Sequence, residues 1–516
     1  MTTLVSPTTR STTTGRRLSR TACLPAVGQL VRNLRAAGVR PGDRVLLLGE
    51  NDAGYLIAML ALIGLDASLV LADTRQTAAE TDGVADRARV RWALLGGDDD
   101  LAPARRALVA RLGADRVIPY DTAMTAVVPN AEGRPAGGPA PDAVTAGDAV
   151  GAFGAWCERR DAAVLWSSGT TGRPKGVVRS GRSLITNTLA TMRVMGYRPD
   201  DVLFPLLPFS HQYGMSLVLI WWLTGCSLVV APYRRLTDAV AAIAAHGVTT
   251  VDAAPPTYHA LLGLLDRRPT ALAGLHGVRL WCVGGAPLPA ALATRFADTV
   301  GAPLLDGYGL SELGNVALTT VQNITGCGRP VPGVEVRIAA LPAGPGDGGG
   351  TLGPDDRYGE IQVRSPGLLE GYLDEESRLL PVPRGWFGTG DLGRLDAAGN
   401  VHVVGRLRAV HRMGYTLYPE SIQRQAEACG APICLVSVDD ERRGCQLVLF
   451  VEDPELRGTG YWRPRIDALL AGYERPNAIE VLPRLPVGAT GKVDRAQLTQ
   501  LAARRRGAVP PHREDT

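Results

Sequence analysis

The feature that most constrains this chain is a regular alternation of short apolar runs with helix-like stretches, from about Leu30 to Val283. Residues 44–48 and 67–71 are apolar runs of strand length, and residues 54–64 between them have the length and composition of a buried helix. Further apolar runs follow at residues 116–118, 162–166, 227–230, 249–251 and 278–283. Strands separated by helices predict an α/β fold in which parallel sheets are flanked by helices.

The chain is longer than one hydrophobic core usually organises. It has 516 residues, so we expect two or more domains. Beyond about Ile324, strand-like runs and glycine-rich turns predict a small β-rich subdomain, and beyond Gly405 the pattern is that of a small α+β module. The predicted organisation is, in order, a disordered tail at 1–27, a large N-terminal domain of two helix-flanked sheets at 28–404 that includes the β-rich subdomain at 325–404, a hinge at 405–409, a small mobile C-terminal α+β domain at 410–503 and a tail at 504–516.

Two segments have compositions that allow alternatives. The first two dozen residues are rich in Thr, Ser and Arg and contain no acid, which is typical of an organelle transit peptide as well as of a disordered tail; we interpret them as a tail. Residues 215–232 are apolar, but Ser216, Thr224 and Gly225 interrupt them. A buried helix followed by a buried strand explains this stretch better than a membrane span.

Charge and cysteine usage exclude several classes of protein. The net charge of +4 is small for this length, so we expect no nucleic-acid partner and no anionic membrane surface. The eight cysteines form no CxxC pair and no Cys/His cluster with zinc spacing. They are typical of reduced thiols in a cytoplasmic protein, which we expect to be a monomer or a homodimer.

Lysine is rare in this chain, and its two positions are informative. Only Lys175 and Lys492 are lysines among 55 basic residues, and both lie in glycine-bearing motifs. An ammonium is a compact point charge, whereas a guanidinium is a broad planar fork. Chance in an arginine-rich chain and a need for one point charge on a ligand both explain the count, so the surrounding residues must decide.

The loop around Lys175 has the composition of a phosphate-binding loop. It follows the apolar run 162–166, and its glycines and hydroxyls suit contact with phosphate oxygens. It is not a Walker A loop, because Pro174 and Gly176 replace the glycine and the final Ser/Thr. The string resembles the phosphate loop of the acyl-adenylate-forming enzymes, which include acyl-CoA synthetases, peptide-synthetase adenylation domains and beetle luciferases: Ser167, Ser168, Gly169, Thr170, Thr171, Gly172, Arg173, Pro174, Lys175, Gly176.

A second motif resembles the adenine and magnesium signature of the same family. It consists of Asp306, Gly307, Tyr308, Gly309, Leu310, Ser311 and Glu312. The resemblance implies that Tyr308 packs on adenine, that Ser311 contacts the α-phosphate and that Glu312 binds Mg²⁺. A lone glutamate is usually a solvated charge, but the ordered motif favours a functional role.

Three further motifs complete the resemblance, which runs from about Leu30 to Leu501. Thr389-Gly390-Asp391 resembles the ribose-binding motif of the family, although the same residues also form ordinary turns. Gly405-Arg406 resembles the hinge motif, whose arginine approaches the ribose and phosphates. Pro486 to Arg495 matches the pattern Pro-x4-Gly-Lys-x2-Arg, which implies that Lys492 bridges the substrate carboxylate and the α-phosphate.

Weaker matches point to the acyl group. Pro208-Phe209-Ser210-His211 resembles the segment whose histidine shapes the acyl pocket, but a histidine beside an apolar run is as easily a core residue. The loop at residues 284–287 resembles the one that carries adenine on one side and the acyl group on the other, and a tight turn is the alternative. Gly285, Ala286 and Pro287 are therefore assigned to the nucleotide side, and the candidate acyl-pocket residues are His211, Tyr258, Gly284 and Gly309.

The resemblance implies ATP-dependent activation of a carboxylic acid to an acyl-adenylate, with Mg²⁺ on Glu312, followed by thioester formation with CoA. Arg408 occupies the hinge position where Asp or Lys is usual, and residues 405–414 are one residue shorter than the common pattern. An enzyme that stops at the adenylate and passes it to a carrier protein or partner enzyme is therefore the alternative. A catalytically inactive binding protein is a remote one, because Lys175, Glu312, Asp391, Arg406 and Lys492 are all present.

Overall fold

The computed structural model describes residues 15–121, 153–167, 175–231, 235–340, 358–407, 410–412, 415–417, 419–440, 444–470, 472, 474–487 and 493–507. By its internal contacts the chain divides into two units. The first comprises Met1–Glu335 and Arg364–Gly385, and the second comprises Val336–Val363 and Trp386–Thr516.

Helices and strands alternate along most of the first unit. The described helices, α1 to α13, are Arg20–Ala37, Ala53–Gly64, Ala78–Arg87, Ala102–Leu112, Gly154–Glu158, Gly181–Met195, Gln212–Thr224, Leu236–His246, Pro255–Arg267, Ala290–Val300, Pro419–Ala426, Thr459–Asp467 and Arg495–Gly507. The described strands, β1 to β25, are Arg16–Ser19, Arg44–Leu48, Ser68–Ala72, Trp92–Leu95, Val117–Pro119, Ala163–Ser167, Lys175–Arg179, Val202–Pro205, Ser227–Val230, Thr250–Ala253, Leu280–Gly284, Leu304–Leu310, Gly314–Leu318, Arg329–Pro330, Glu335–Ala339, Gly359–Arg364, Gly371–Leu373, Leu379–Pro381, Phe387–Leu395, Val401–Arg406, Val410–Arg412, Tyr415–Leu417, Ile433–Asp440, Gly444–Glu452 and Ala478–Leu482.

One eight-stranded sheet has the order β18-β17-β7-β6-β3-β2-β4-β5. Its central strands β6, β3, β2, β4 and β5 are parallel. Strands β2 and β3 are apolar along almost their whole length because both of their faces are covered, as in other parallel sheets. The antiparallel strands β7 and β17 extend this sheet towards its edge.

A second eight-stranded sheet has the order β1-β9-β8-β10-β11-β12-β13-β14. Strands β9, β8, β10, β11 and β12 are parallel, so their carboxyl ends meet at one edge. At that edge Gly284 of β11 pairs with Gly307 of β12. One face of the sheet is covered by an apolar core that includes Phe204, Trp281 and Phe296.

The second unit contains a four-stranded sheet, β15-β16-β19-β20, and a three-stranded sheet, β23-β24-β25. Strands β23 and β24 are antiparallel over their full length, and β25 joins β24 in parallel. Helix α13 packs on this sheet through Leu498 and Ala502, which are buried with Val436 and Phe450. Residues 336–363 and 386–404 of the predicted β-rich subdomain thus fall in the same unit as the C-terminal module. The predicted organisation places them in the N-terminal domain instead.

The sequence predicts the α/β class with two helix-flanked sheets, and the structure confirms it. Where the observed bounds of an element differ from the predicted ones, the backbone hydrogen bonds determine where the element begins and ends. The run 278–283 becomes strand Leu280–Gly284, because the amide of Val278 donates to the carbonyl of Leu275 in a preceding turn. The predicted stretch 215–232 contains the end of a helix and a strand, as expected. The tail predicted for residues 504–516 begins later than expected, because helix α13 extends to Gly507. Residues 344–350 and 508–516 lie outside the described residues.

The disordered tail predicted for residues 1–27 is wrong from Arg16 onwards. Strand β1 pairs antiparallel with β9, and helix α1 follows it at once. The hydroxyl of Ser19 accepts the amide of Ala22 and so caps the helix, which is the usual role of serine at this position. Arg20 is buried and donates to the carbonyl of Trp222. Tertiary partners, rather than local composition, order this segment.

No helix in the described ranges has both the length and the apolar character needed to cross a membrane.

Candidate active site

The predicted phosphate loop joins two strands of a hairpin. Strands β6 and β7 are antiparallel, and Ser167 pairs with Lys175 at the open end of the ladder. The connecting residues Ser168, Gly169, Thr170, Thr171 and Gly172 lie outside the described residues. The structure therefore fixes the two ends of the loop side by side on one sheet.

Tyr372 stands between Lys175 and Glu312. It lies on β17, which pairs with β7 so that Tyr372 is opposite Val177. The ammonium of Lys175 lies 5.6 Å from the centroid of the Tyr372 ring, within the range of a cation–π contact. The Tyr372 hydroxyl donates to Oε1 of Glu312 at 3.2 Å. A cation of the phosphate-loop strand and the candidate metal ligand are thus brought together by a residue that sequence reasoning missed.

The turn that carries Ser311 and Glu312 is held through its backbone. It connects β12 to β13. The carbonyl of Ser311 accepts a hydrogen bond from Nη1 of Arg179 at 2.8 Å. The carbonyl of Glu312 accepts one from the amide of Leu369, also at 2.8 Å. Just after the turn, Asn187 accepts the amide of Asn315. Because these bonds are made to main-chain carbonyls and amides, the fold fixes the backbone of the turn from which the Glu312 side chain extends.

The candidate nucleotide residues of the second sheet lie at its carboxyl edge. Gly285, Ala286 and Pro287 follow β11, and Gly285 has a φ of +78°, which a residue with a side chain rarely adopts. Tyr308 lies in β12 and is buried, and Gly309 lies next to it, where a Cβ would clash with the carbonyl oxygen of Gly314.

Asp306 and Gly307 occupy the strand just before Tyr308. Burial raises the pKa of Asp306 to about 6, although hydrogen bonds from Cys327 and from the amide of Gly307 act in the opposite direction. The thiol of Cys327 lies 3.5 Å from Oδ2 of Asp306. A carboxyl at this edge of the sheet therefore takes up a proton at a higher pH than an exposed aspartate does.

His211 is tied to the loop after β3. Its Nε2 lies 2.5 Å from Oδ2 of Asp73 and 2.9 Å from Nη2 of Arg75. Burial alone would raise the pKa of Asp73, but hydrogen bonds from Arg75 and His211 hold it well below its usual range. The imidazole therefore has an ionised carboxylate as a neighbour and is placed just before helix α7.

Tyr258 lies in the core. Its hydroxyl is within hydrogen-bond distance of the carbonyls of Val251 and Cys282, and its ring makes edge contacts with Trp281 and Phe296. It is 1% exposed. This placement gives the predicted acyl-pocket role of Tyr258 no support.

A different tyrosine lies against Gly284, the residue of the loop 284–287 that is predicted to line the acyl pocket. A Cβ added at Gly284 would lie 3.1 Å from the ring of Tyr213. The Tyr213 hydroxyl donates to Oδ1 of Asp252 at 2.9 Å, and burial raises the pKa of Asp252 to about 7. The signal in the sequence was an aspartate inside the apolar run of β10, which is unusual for a central strand.

In the second unit, Asp391 and Arg406 form an ion pair. They are register partners on β19 and β20, and Nε of Arg406 lies 3.2 Å from Oδ1 of Asp391. Arg406 also donates to the carbonyl of Thr389, whose hydroxyl is bound to the carbonyl of Ile361. The two predicted ribose-site residues are therefore in direct contact. Arg408 and Lys492 lie outside the described residues.

The donor set around Glu312 fits a magnesium ion that is shared with a substrate. Among the described residues no group of three or more His, Cys, Asp or Glu side chains could hold a metal. Mg²⁺ commonly binds through one or two carboxylates together with substrate phosphates and water, so a single glutamate beside a phosphate loop suffices.

Comparison with known proteins agrees with this geometry. The family model described as AMP-binding enzyme matches residues 5–373. A methyl-dioxo-octahydroindenyl-propanoyl:CoA ligase of Mycobacterium tuberculosis is 30% identical over 511 residues, which cover 94% of this chain and 94% of the relative. A feruloyl-CoA synthase of Amycolatopsis is 29% identical and covers 90% of each chain.

Solved structures show the same fold. ATP-bound MatB from Rhodopseudomonas palustris superposes with a TM-score of 0.76 at 23% identity and covers 94% of each chain. The o-succinylbenzoate CoA synthetase MenE of Bacillus subtilis, in complex with its acyl-adenylate, gives a TM-score of 0.73 at 22% identity, with 92% of each chain covered.

The two sheets and their motifs define an adenylate-forming type of enzyme. The chain belongs to the AMP-binding enzyme family, within the acyl-adenylate-forming superfamily, and is an enzyme of the acid–thiol ligase class.

Proposed function

We propose that this enzyme uses Mg-ATP to convert a carboxylic acid without an α-amino group into an acyl-adenylate and pyrophosphate, and then transfers the acyl group to CoA. The observation that carries the proposal is the contact series Lys175, Tyr372 and Glu312, which brings the end of the phosphate loop beside the candidate metal ligand. The thioester step is supported by relatives that are named as CoA ligases and match almost end to end.

In the first step a carboxylate oxygen of the acid bonds to the α-phosphorus, and the bond from that phosphorus to the pyrophosphate oxygen breaks. Attacking and attacked groups are both anionic, so the protein must mainly neutralise charge and align the reactants. In this proposal Lys175 and the loop 167–172 bind the departing pyrophosphate, and Lys492 interacts with the α-phosphate. Glu312 would hold Mg²⁺, which would supply positive charge to the phosphate oxygens.

The nucleoside binds to residues of the motif 306–312 and of the predicted ribose-binding motif. Tyr308 packs on adenine, and Ser311 donates to the α-phosphate. The two ribose hydroxyls donate to Asp391, whose carboxylate Arg406 already orients through the ion pair at 3.2 Å.

The acid is not an α-amino acid in this proposal. Amino-acid-activating relatives carry an aspartate after an aromatic residue in the segment before His211, and here Ser210 follows Phe209. The Tyr213 ring against Gly284 adds a wall on the acyl side of the loop.

Adenylation without CoA transfer is the second candidate. It is favoured by Arg408 and by the short motif at residues 405–414, where the enzyme departs from the family pattern. ATP, a panel of carboxylic acids and CoA distinguish the two when adenylate and thioester are followed by mass spectrometry. Acyl-CoA formation supports transfer to CoA, whereas adenylate that persists without acyl-CoA overturns it.

The role of Lys492 is tested by Lys492→Ala. We expect pyrophosphate release to fall to near background, because the methyl group of alanine supplies no positive charge to the α-phosphate. Arg484→Ala removes an exposed cation of the same unit and should leave the rate unchanged. Near-normal pyrophosphate release from Lys492→Ala would remove Lys492 from the mechanism.

A further inference from the structure

Arg179 is a fully buried cation beside the candidate site. It is the last residue of β7, the strand that begins with Lys175, and it has no exposed surface. Arginine is almost never fully buried unless it is paired with an acid. Burial lowers the pKa of Arg179 to about 10, while the charges of Glu312 and Glu370 oppose this effect.

The guanidinium joins two separate parts of the site. Nη1 donates to the carbonyl of Ser311 at 2.8 Å and to Oε1 of Gln212 at 3.2 Å. Ser311 belongs to the nucleotide turn, residues 311–314, and Gln212 belongs to the acyl segment, residues 208–212. A single nitrogen therefore bridges the segment beside His211 and the turn that carries Glu312.

This arrangement is unfavourable for stability alone. Among the described residues Arg179 forms no ion pair, and its Nη2 is buried without a hydrogen-bond partner. Burying a guanidinium with part of its donors unsatisfied costs free energy that an apolar side chain of similar length would not. A residue that carries such a cost is a candidate for a functional role.

We propose that Arg179 is a positioning residue that couples the acyl segment to the nucleotide turn. If the acid moves the backbone at Gln212, the shared nitrogen transmits the shift to Ser311 and hence to Glu312. The inference rests on the proposed function, since it assumes that the acid binds near His211 and the nucleotide near Ser311.

The chemistry explains why the position holds arginine in a chain that also uses lysine. Nε of Arg179 donates to the hydroxyl of Ser183 at 3.3 Å, while Nη1 serves the two segments. A planar fork can reach these acceptors at fixed angles, whereas an ammonium on a flexible stem cannot hold them together.

The test compares Arg179→Met, Arg179→Lys and Gln212→Leu. Arg179→Met should lower kcat by about 30- to 100-fold and raise the KM of both the acid and ATP, in line with the loss of charged hydrogen bonds. Arg179→Lys should recover part of kcat. Arg182→Met removes an exposed arginine of helix α6 and serves as the control, with kinetic constants within about twofold of the wild type.

The decisive variant is Gln212→Leu, which cuts one side of the bridge and leaves Arg179 in place. Coupling predicts that it raises the KM of ATP as well as that of the acid, and that this effect on ATP disappears in the Arg179→Met background. A change confined to the acid, or additive effects in the double variant, would overturn the inference.

Two outcomes separate this inference from the proposed function. If the wild type releases no pyrophosphate with any acid, the proposed function fails. Calorimetric binding of Mg-ATP still tests Arg179, because Gln212→Leu should weaken it about threefold or more. If Arg179→Met does not fold, Arg179→Lys and Gln212→Leu decide the matter. Unchanged ATP binding in both would overturn the proposal.

Discussion

Arg179 in the first unit and Arg406 in the second both lie beside candidate ligand residues, but their electrostatic settings are opposite. Arg179 is fully buried and bonds to a carbonyl, an amide and a hydroxyl. Arg406 has a side chain that is 51% exposed and pairs with the carboxylate of Asp391, which is 8% exposed.

The difference concerns which carboxylate is already matched by a positive charge. Asp391 has its arginine, so a ribose must share the carboxylate with Arg406. Glu312 receives a neutral hydroxyl from Tyr372 and forms no ion pair among the described residues, although the charge of the buried Arg179 acts on it. Under the proposed function, this difference suits Glu312 to a metal ion and Asp391 to a neutral sugar.

The largest effect should come from the unmatched carboxylate. Glu312→Gln keeps the shape and removes the charge, so we expect kcat of pyrophosphate release to fall by about 10²- to 10³-fold, as for the loss of a preorganised electrostatic group. The Mg²⁺ concentration for half-maximal rate should rise. Glu335→Gln alters an exposed glutamate that pairs with Arg364, and it should behave like the wild type. If Glu312→Gln showed the magnesium dependence of the wild type, Glu312 would not be the metal ligand and the comparison with Asp391 would fail.

A smaller effect should come from the matched carboxylate. Asp391→Asn weakens the bonds to the ribose hydroxyls and leaves Arg406 without its charge partner. We expect the KM of ATP to rise about 10- to 100-fold with a lesser change in kcat, because charged hydrogen bonds contribute about 1.5–3 kcal/mol. Glu455→Gln, on an exposed glutamate of the same unit, is the control. An unchanged KM would mean that the nucleotide does not use Asp391.

Tyr372→Phe should have a milder effect than either of these changes. It removes the hydroxyl that bonds Glu312 and keeps the ring beside Lys175. We expect kcat/KM to fall about three- to tenfold, with a raised magnesium requirement and little change in the free energy of unfolding. Tyr358→Phe, on an exposed tyrosine, controls for loss of a hydroxyl. A loss as large as that of Glu312→Gln would give the hydroxyl a direct part in the reaction.

The last prediction concerns stability rather than activity, and it involves Asp252, a buried carboxyl that forms no ion pair among the described residues. Burial raises its pKa to about 7 from the usual value near 3.9. Between these values only the folded state holds the proton, so the stability that Asp252 contributes falls as the pH rises towards about 7 and is constant above it. Asp252→Asn cannot ionise. Its free energy of unfolding relative to that of the wild type should therefore rise between pH 5.5 and pH 7, by no more than about 2 kcal/mol.

Thermal unfolding at several pH values checks this prediction. Asp201→Asn is the matched control, because hydrogen bonds from Arg279 and Thr249 outweigh burial and lower the pKa of Asp201. The contribution of Asp201 is lost only in acid, so the difference between this variant and the wild type should be constant from pH 5.5 to 7. A constant difference for Asp252→Asn as well would contradict the raised pKa.

Local pattern sufficed for much of the fold. The runs at Arg44–Leu48 and Ser227–Val230 were placed to the residue, because an apolar run of strand length between polar turns has few alternatives. Residues 16–27 were misjudged, since nothing in their composition reveals that β9 and Trp222 would hold them. Composition describes the segment alone, whereas its secondary structure here depends on tertiary contacts with β9 and Trp222.

The same distinction applies to the site. The motifs alone predicted Lys175, Glu312, Asp391 and Arg406 as site residues, because their neighbours form ordered strings of glycines and hydroxyls. Tyr372, Tyr213 and Arg179 lie outside those strings and were not found. Each acts through a residue more than 30 positions away, and no local pattern records such a contact.

The sequence by itself determined the family and the reaction type, and it predicted the chemical groups that meet the nucleotide, because catalytic groups need particular residue types at fixed short spacings. Only the tertiary structure decided which of these groups are already paired. Pairing depends on strand register: β17 beside β7 brings Tyr372 near Lys175 and Glu312, and β20 beside β19 gives Asp391 its arginine. Burial and charge then set the strength of the contacts that this register brings about.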